Sequence, residues 1–455
     1  PTVEKNNTPV KEKEVLNDYE ATPVPDSEHM SWLSQGAVWI GASFCLAAIQ
    51  TGGILANGLS FGQSIIAILV GSAILTVLAI FMGIVGAQTH LASAMNSRFS
   101  LGIKGSKIFG IVVAFSLFGW FGFQADMFGQ TVVTLLEGYL GIHTAPQVVW
   151  TIIGGTAMMI TAIVGYKGIK ALSNVAVPLL FVLAMAALGI TLARVPFASI
   201  TSKGPVGAAI PLTMGIASVV GNNAVSVVIV SDFTRYSKTR KDAIRGCILG
   251  YFFGYVPILL MGAIFTYSFN NWNIVEVMLG ELNLGIVAAI VLILAQWTTN
   301  DNNLYSSVLG VANVLAGTRI KYKRWLLTLI VGIISIAFSA IGLVDHYLSF
   351  LSILTATIPA MAGVVISDFF FLNKNGYEFE LIEKKKLADW NWSGIISWFL
   401  AIFMGLCMTA APTGLGVPAL VKLAGVVPTP IVGVIVAFVC NMVLYPLLNK
   451  RAAKG

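Results

Sequence analysis

Apolar residues along this chain come in long uninterrupted runs rather than in alternation with polar ones. Twelve runs are long enough to cross a bilayer as helices, at roughly 36–57, 63–86, 106–136, 148–166, 171–193, 207–231, 246–269, 282–315, 325–343, 347–371, 393–411 and 426–448. A crossing helix needs about 20 apolar residues. Backbone in hydrocarbon must bond within its own helix or within a closed barrel, and the alternating pattern of barrel strands is absent. The expected fold is therefore an all-α membrane protein with 12 transmembrane helices.

The first 35 residues contrast with the rest: seven acids, three lysines and almost no apolar run. They read as a solvated polar tail, without the basic end, apolar middle and cleavage site of a signal peptide. A polar connection at 373–392 and a short basic end at 449–455 separate and close the apolar runs, with helices eleven and twelve at 393–448.

Composition agrees with a membrane solvent. Apolar residues make up 57% of the chain and charged residues 10%, where soluble domains carry about 25% charged. The 45 glycines suit close helix contacts, and the 10 tryptophans suit the membrane interface. Cys45, Cys247, Cys407 and Cys440 lie singly in apolar runs, with neither metal spacing nor a disulfide framework.

Charge sets an orientation. With the N-terminus in the cytoplasm, 24 Lys and Arg fall on the inner side and only Arg194, Lys203 and Lys422 on the outer. Both termini are then cytoplasmic. The net charge of +7 is accounted for by basic loops beside anionic membrane lipid, without a nucleic-acid partner. No obligate protein partner is evident.

Polar residues and helix interruptions at bilayer depth carry the functional reading. Transporters place half-helix ends and freed carbonyls at the midplane, where they meet ions and substrate. The first run contains Gly41, Ser43 and Thr51-Gly52-Gly53, and the sixth contains Gly221-Asn222-Asn223. These runs lie five apart, as in two repeats of five helices. Gly52 and Gly53 have an equally ordinary reading as sites of close helix packing.

The most polar stretch at depth is Gln296-Trp297-Thr298-Thr299-Asn300-Asp301-Asn302-Asn303. Such a cluster is expensive to insert and marks a site by default. The Thr298 and Thr299 hydroxyls, the Ala295 carbonyl and unwound carbonyls of the first run suit a hard monovalent cation. The alternative is that the threonines bond back to their own helix and the amides join helices.

In the third run, Trp120 and Gln124 lie four apart and so share a helix face. An indole face stacks on a planar ring, worth about 1–3 kcal/mol in single-strand nucleic-acid sites, and an amide reads a ring's donor and acceptor edge. Asp126 in the same run is either a helix–helix partner or a proton-linked site.

Other function classes lack their machinery. There is no filter repeat or continuous hydrophilic stripe for a channel, and no phosphate-binding glycine loop. His29 lies in the tail, His90 and His346 near run ends and His143 in a loop, which leaves no intramembrane catalytic cluster. No enzyme and no bound cofactor is expected.

Several motifs resemble the nucleobase–cation symporter-1 family, in particular its bacterial cytosine permease and purine-cytosine permease-type members. They are Asp18-Tyr19-Glu20 with Pro23-Val24-Pro25, Thr51-Gly52-Gly53 with Gly58-Leu59-Ser60, the stretch Arg98 to Ser106, and Gly119-Trp120-Phe121-Gly122. Ser231 to Tyr236, Trp297 to Asn302 with Leu304-Tyr305, and Gly363 to Asp368 complete the set, with the Trp297 motif the most specific.

The resemblance implies two inverted five-helix repeats of the leucine-transporter type (36–200 and 201–372), two further C-terminal helices, and sodium-coupled import by alternating access across a bacterial inner membrane. It implies a sodium site made by carbonyls of Gly41, Phe44 and Ala295 with the Thr298 and Thr299 hydroxyls, and a stacking role for Trp120. Substrate contacts are expected from Trp120, Gln124, Asn222, Asn223 and Asn300.

The pocket departs from the cytosine permease pattern. Leu117 stands where those proteins carry glutamine, and Asn223 and Val225 replace a phenylalanine and a nearby serine. Gln124 resembles instead the hydantoin, allantoin and fungal purine-cytosine branches. Cytosine is the first expectation for the substrate. The alternative is proton-coupled uptake, through Asp126 or Asp301, of a purine, a hydantoin-like ring or another pyrimidine derivative.

Overall fold

The computed structural model describes residues 22–164, 166–315, 323–340, 342–373, 376–384, 386–409 and 414–448. The tail up to residue 21, the basic C-terminal end and the basic residues Arg319, Lys321, Lys374 and Lys385 lie outside the described residues.

Helices account for most of the described chain, which contains one isolated bridge, Met30 to Ser237, and no strand. The first apolar run forms two helices, α1 (Trp32–Ser43) and α2 (Leu46–Gly58). Then follow α3 (Phe61–Thr89), α4 (Ser93–Leu101), α5 (Gly105–Val133), α6 (Gln147–Val164), α7 (Tyr166–Arg194) and the short α8 (Phe197–Thr201). The sixth run is again divided, into α9 (Leu212–Asn222), α10 (Ala224–Val228) and α11 (Ser231–Thr234). Next, α12 (Arg240–Ile248) passes through a π-helical turn into α13 (Tyr255–Phe269), and α14 (Ile274–Glu276) precedes the long α15 (Gly285–Leu315) and α16 (Arg324–Ser339). The tenth run breaks at Ile358–Pro359 into α17 (Tyr347–Thr357) and α18 (Ala360–Ser367). The remaining helices are α19 (Phe379–Glu383), α20 (Trp392–Cys407), α21 (Pro418–Ala424) and α22 (Thr429–Leu448).

Helix ends follow local chemistry. Ser60 and Gln63 form a reciprocal capping box at the start of α3. The helix stops at His90, whose backbone is left-handed (φ 53°). Gly102 ends α4 at φ 86°, a conformation suited to glycine.

Among the described residues, six helical segments are long and apolar enough to cross a membrane, Phe61–Thr89, Gly105–Tyr139, Val175–Arg194, Arg240–Phe269, Tyr347–Leu372 and Thr429–Leu448, and four more apolar helices are shorter. The first and sixth runs are cut by their breaks, and the eighth carries its polar stretch, so none of these three reaches that standard alone. Large apolar side chains such as Val182, Val287, Phe403 and Val443 are exposed on outward faces. Ion pairs such as Lys104–Asp389, Lys384–Glu380 and His143–Glu137 lie in segments that connect the apolar helices or at their ends. This is the polarity of a multi-pass membrane protein.

Glycine fixes one contact tightly. A Cβ on Gly52 would overlap the carbonyl oxygen of Leu259, and one on Gly262 would overlap that of Ile49. The α2 and α13 backbones therefore touch directly. Thr51-Gly52-Gly53 is continuous helix, so these glycines serve packing, and the interruption expected near them falls earlier, at Phe44–Cys45.

The end of the tail is also more ordered than its polarity implied. Val24 is buried and its N–H donates to His90 O, the His29 and His90 rings stack at 4.2 Å, and Met30 N–H donates to Tyr236 O. A few apolar and aromatic groups (Val24, His29, Met30) suffice to dock this segment, and composition averaged over 35 residues concealed them.

Candidate functional site

The break in the first apolar run frees two carbonyls. Cys45 is extended (φ −131°, ψ 157°), and its N–H turns to Ser43 O rather than continuing the helix to Gly41 O. Likewise the Ala48 N–H goes to Cys45 O, so Phe44 O also loses its helical donor. Gly41 and Phe44 are the two carbonyls expected of an ion site, and both are released from the backbone ladder.

On α15, the Thr298 hydroxyl donates to Ala295 O at 3.0 Å and the Thr299 hydroxyl to the same oxygen at 2.9 Å. Three oxygens thus converge within one helical turn. Each hydroxyl spends its proton on the carbonyl and keeps its lone pairs for another partner. The helix packs against α2, α5 and α7.

The break in the sixth run lies beside that in the first. Asn223 leaves helical geometry (φ −113°, ψ 14°), and the Asn222 amide points toward Ala47 O at 3.5 Å, near the start of α2. The Asn222 amide is otherwise engaged by two tyrosines. Its Nδ2 donates to the Tyr347 hydroxyl at 2.8 Å, and its Oδ1 accepts from the Tyr255 hydroxyl at 2.6 Å. The Tyr347 oxygen also lies 2.8 Å from Thr51 Oγ1 and 3.2 Å from Ala47 O. This network joins α2, α9, α13 and α17.

Trp120, on the central face of α5, is buried among rings that meet it edgewise: Phe123 at 5.9 Å, Phe350 at 5.1 Å and Tyr347 at 6.3 Å. The Tyr347 ring lies flat on Phe123 at 4.3 Å. One turn further along α5, Gln124 is buried and its carbonyl oxygen has no protein partner among the described residues. An unpartnered buried amide carries a desolvation cost of about 1–3 kcal/mol, which a ligand's N–H group would remove.

The other expected residues differ in setting. Asn223 is half-buried and its Oδ1 accepts from Ser226. Asn300 donates its Nδ2 N–H to Phe121 O on α5 and to the Met158 sulfur on α6, while its buried carbonyl oxygen has no protein partner among the described residues. The physical reason is helical phase, because Asn300 lies on the face of α15 that seats the α5–α6 pair.

Asp126 accepts from Gln147 at 2.8 Å, Thr151 at 3.2 Å and the Val344 N–H at 2.9 Å, an arrangement that ties helices together. Asp301 accepts from Thr161, which also takes the Trp297 indole N–H, and no basic group lies within ion-pair distance among the described residues.

Sequence reasoning missed Tyr255 and Tyr347. Tyr347 begins its run, where tyrosine ordinarily marks the membrane interface, and only the fold reveals its hydroxyl at the two breaks.

A family model described as permease for cytosine/purines, uracil, thiamine, allantoin matches residues 23–429. The cytosine permease of Escherichia coli strain K12 is 30% identical over 440 residues, covering 96% of each chain. The hydantoin permease of Microbacterium maritypicum is 23% identical over 420 residues, covering 88% of this chain and 85% of its own. Among solved structures, the nucleobase-cation-symport-1 transporter Mhp1, closed with bromovinylhydantoin bound, aligns with a TM-score of 0.74 at 19% identity over 95% of this chain and 96% of its own. Its inward-facing form aligns at 0.76, with 19% identity and 95% and 94% coverage. At that identity the structures speak for the fold alone; the family rests on the sequence match. The chain belongs to this family of cytosine/purine, uracil, thiamine and allantoin permeases, and is a membrane transporter rather than an enzyme.

Proposed function

We propose that this chain is a sodium-coupled symporter that imports a planar nitrogen heterocycle, with cytosine the first choice. The observation that carries the reading is a buried indole, Trp120, with an unpartnered amide, Gln124, one turn away on the same helix and two helix breaks joined to the neighbouring Tyr347. The substrate ring stacks on Trp120 and is read by Gln124 and by some of Asn222, Asn223 and Asn300, the last of which also keeps an unpartnered carbonyl oxygen.

Sodium is held by the Gly41, Phe44 and Ala295 carbonyls with the Thr298 and Thr299 hydroxyls. The fit rests on the donor set: five neutral oxygens, two of them carbonyls freed at a helix break. Ion binding joins α1 and the junction that follows it to α15, so it favours the arrangement in which these segments sit together, and substrate affinity rises with it. Alternating access follows when the outer and inner ends of the site open in turn.

The same proposal includes twelve crossings, two inverted five-helix repeats over 36–200 and 201–372, two added helices, and cytoplasmic termini in a bacterial inner membrane. Helix packing supports the repeats: α2 packs on α13 as α9 packs on α3, which is the exchange expected if spans one and two correspond to six and seven.

Uptake of labelled cytosine into cells, with and without a sodium gradient, tests the reading. Accumulation only with sodium is expected. Accumulation driven by a proton gradient alone overturns sodium coupling and favours the second reading, proton coupling through Asp301, whose carboxylate has a hydroxyl donor and no basic partner among the described residues.

A further inference from the structure

We propose that the groove between α5 and α20, at the end where both helices begin, is a binding site for one anionic phospholipid. An acyl chain lies along the groove, and the headgroup sits at Trp390, Trp392 and Lys104. The inference rests on the membrane reading of the chain and is independent of its substrate and coupling ion.

The walls are two apolar helix faces. On α5, Ile108, Ile111 and Phe115 share one face, and Lys104 lies on it one turn before Ile108. Ile111 and Phe115 are exposed. On α20, Ile396, Phe399, Leu400 and Phe403 fall at i, i+3, i+4 and i+7, the pattern of a single face, and all four are exposed. The buried Phe109 and Trp398 rings, 6.3 Å apart, join the two helices behind these faces. A groove of about 540 Å³ runs over Ile108, Ile396, Phe399 and Leu400, with Trp390 and Trp392 at its head. That volume suits a ligand rather than a few waters, since ligand sites measure about 300–1,000 Å³. On a surface that faces hydrocarbon, an apolar trough of this kind fits an acyl chain.

The head of the groove is held in place by backbone. Ile103 N–H donates to Ala388 O, Lys104 N–H to Asp389 O, and Asn391 N–H to Leu101 O. The segment with both tryptophans is thereby laced to the junction of α4 and α5. Gly102 (φ 86°) admits it, because a Cβ there would overlap Asp389 O and Asn391 N. The two indoles stack at 5.5 Å and are exposed, and neither ring N–H has a protein partner among the described residues. Indoles of this kind belong to the membrane interface, with the ring among chains and the N–H toward headgroups.

Charge selects the headgroup. The half-exposed Lys104 ammonium gives a donor to Asp389 at 2.6 Å, and an ammonium has three. Lys107, which donates to Val314 O at 3.1 Å, adds a second positive charge one turn along. Two cations against one carboxylate leave this end positive. The proposed topology puts it at the cytoplasmic leaflet, where basic residues attract anionic lipid.

The test is native mass spectrometry of the purified chain in detergent, titrated with phosphatidylglycerol or with phosphatidylcholine of the same acyl chains. One phosphatidylglycerol should be retained about tenfold more tightly than phosphatidylcholine, the order expected of two lysines beside a headgroup of net negative charge. Lys104→Gln/Lys107→Gln should lose that preference. Lys238→Gln/Lys241→Gln, the same change of charge at exposed positions away from the groove, should keep it. Leu400→Trp fills the groove from an exposed position and should weaken retention of both lipids; it carries the test if the Lys104/Lys107 variant is not recovered. Inorganic phosphate, which has no chain to seat, should not compete. Equal retention of the two lipids, equal loss in the two lysine variants, unaltered retention in Leu400→Trp, or displacement by inorganic phosphate overturns the inference. A dimer that dissociates in Leu400→Trp overturns it as well, by assigning the groove to a second copy of the chain.

Discussion

The carboxylate of Asp126 accepts the backbone N–H of Val344 at 2.9 Å, across 218 residues of chain. With Gln147 and Thr151 as further donors, it fastens α5 to α6 and to the segment that opens α17. Asp126→Ala would leave three donors buried without an acceptor, each costing about 1–3 kcal/mol. The expected result is a clearly lower melting midpoint in detergent, with Asp126→Asn intermediate. Because every donor is already in place, the pH dependence of uptake should be the same in Asp126→Asn as in the unaltered chain. Loss of that dependence would make Asp126 a proton carrier.

Thr298→Ala and Thr299→Ala each remove one oxygen from the proposed ion shell without emptying the substrate site. The sodium concentration giving half-maximal uptake should rise about tenfold in either variant, a change of about 1.4 kcal/mol. Heterocycle affinity at saturating sodium should be nearly unchanged. A sodium titration of uptake measures both, and an unchanged midpoint in Thr299→Ala removes the site from α15.

Trp120→Ala deletes the stacking surface, and stacking of a ring on an aromatic side chain is worth about 1–3 kcal/mol. The substrate concentration for half-maximal uptake should rise between about fivefold and a hundredfold, with Trp120→Phe between the two. If Trp120→Phe and Trp120→Ala are equally impaired, the indole is serving a shape role against Phe350 and Phe123 rather than a stacking one.

Gly262→Ala places a methyl group into the Ile49 carbonyl, where only backbone movement can accommodate it. Overpacking of this kind costs about 1–3 kcal/mol or more, so poor membrane accumulation and a lowered melting midpoint are expected. Gly189→Ala is the control. Its position in α7 is open, and alanine in a helix is favoured over glycine by up to about 1 kcal/mol.

The positions of the helices were legible because bilayer-length apolar runs leave little choice of secondary structure, and the ends of α5, α15 and α22 fall close to the ends of their runs. The break at Asn222–Asn223 was legible too, since two adjacent amides are costly inside an uninterrupted membrane helix. The break at Phe44–Cys45 was only half legible: Gly52 and Gly53 drew attention as interruptions and prove to be contacts. Nothing local distinguishes a glycine that unwinds a helix from one that admits a neighbour. The polar partners were the least legible part. That Asn222 is shared between Tyr255 and Tyr347, and that Asn300 donates to α5 and α6, depends on which faces meet, and one sequence does not carry that information.

The paired glycines of α2 and α13 also bear on movement. Two helices whose backbones touch through Gly52 and Gly262 cannot slide past each other without first separating, because the neighbouring carbonyls act as teeth in a rack. The pair must travel as one stiff unit, with the Phe44–Cys45 junction as the nearest joint. In the proposed alternating access, the half of the first run that carries Thr51 would then move together with α13, and Tyr255 with it, and the sliding surfaces would lie elsewhere.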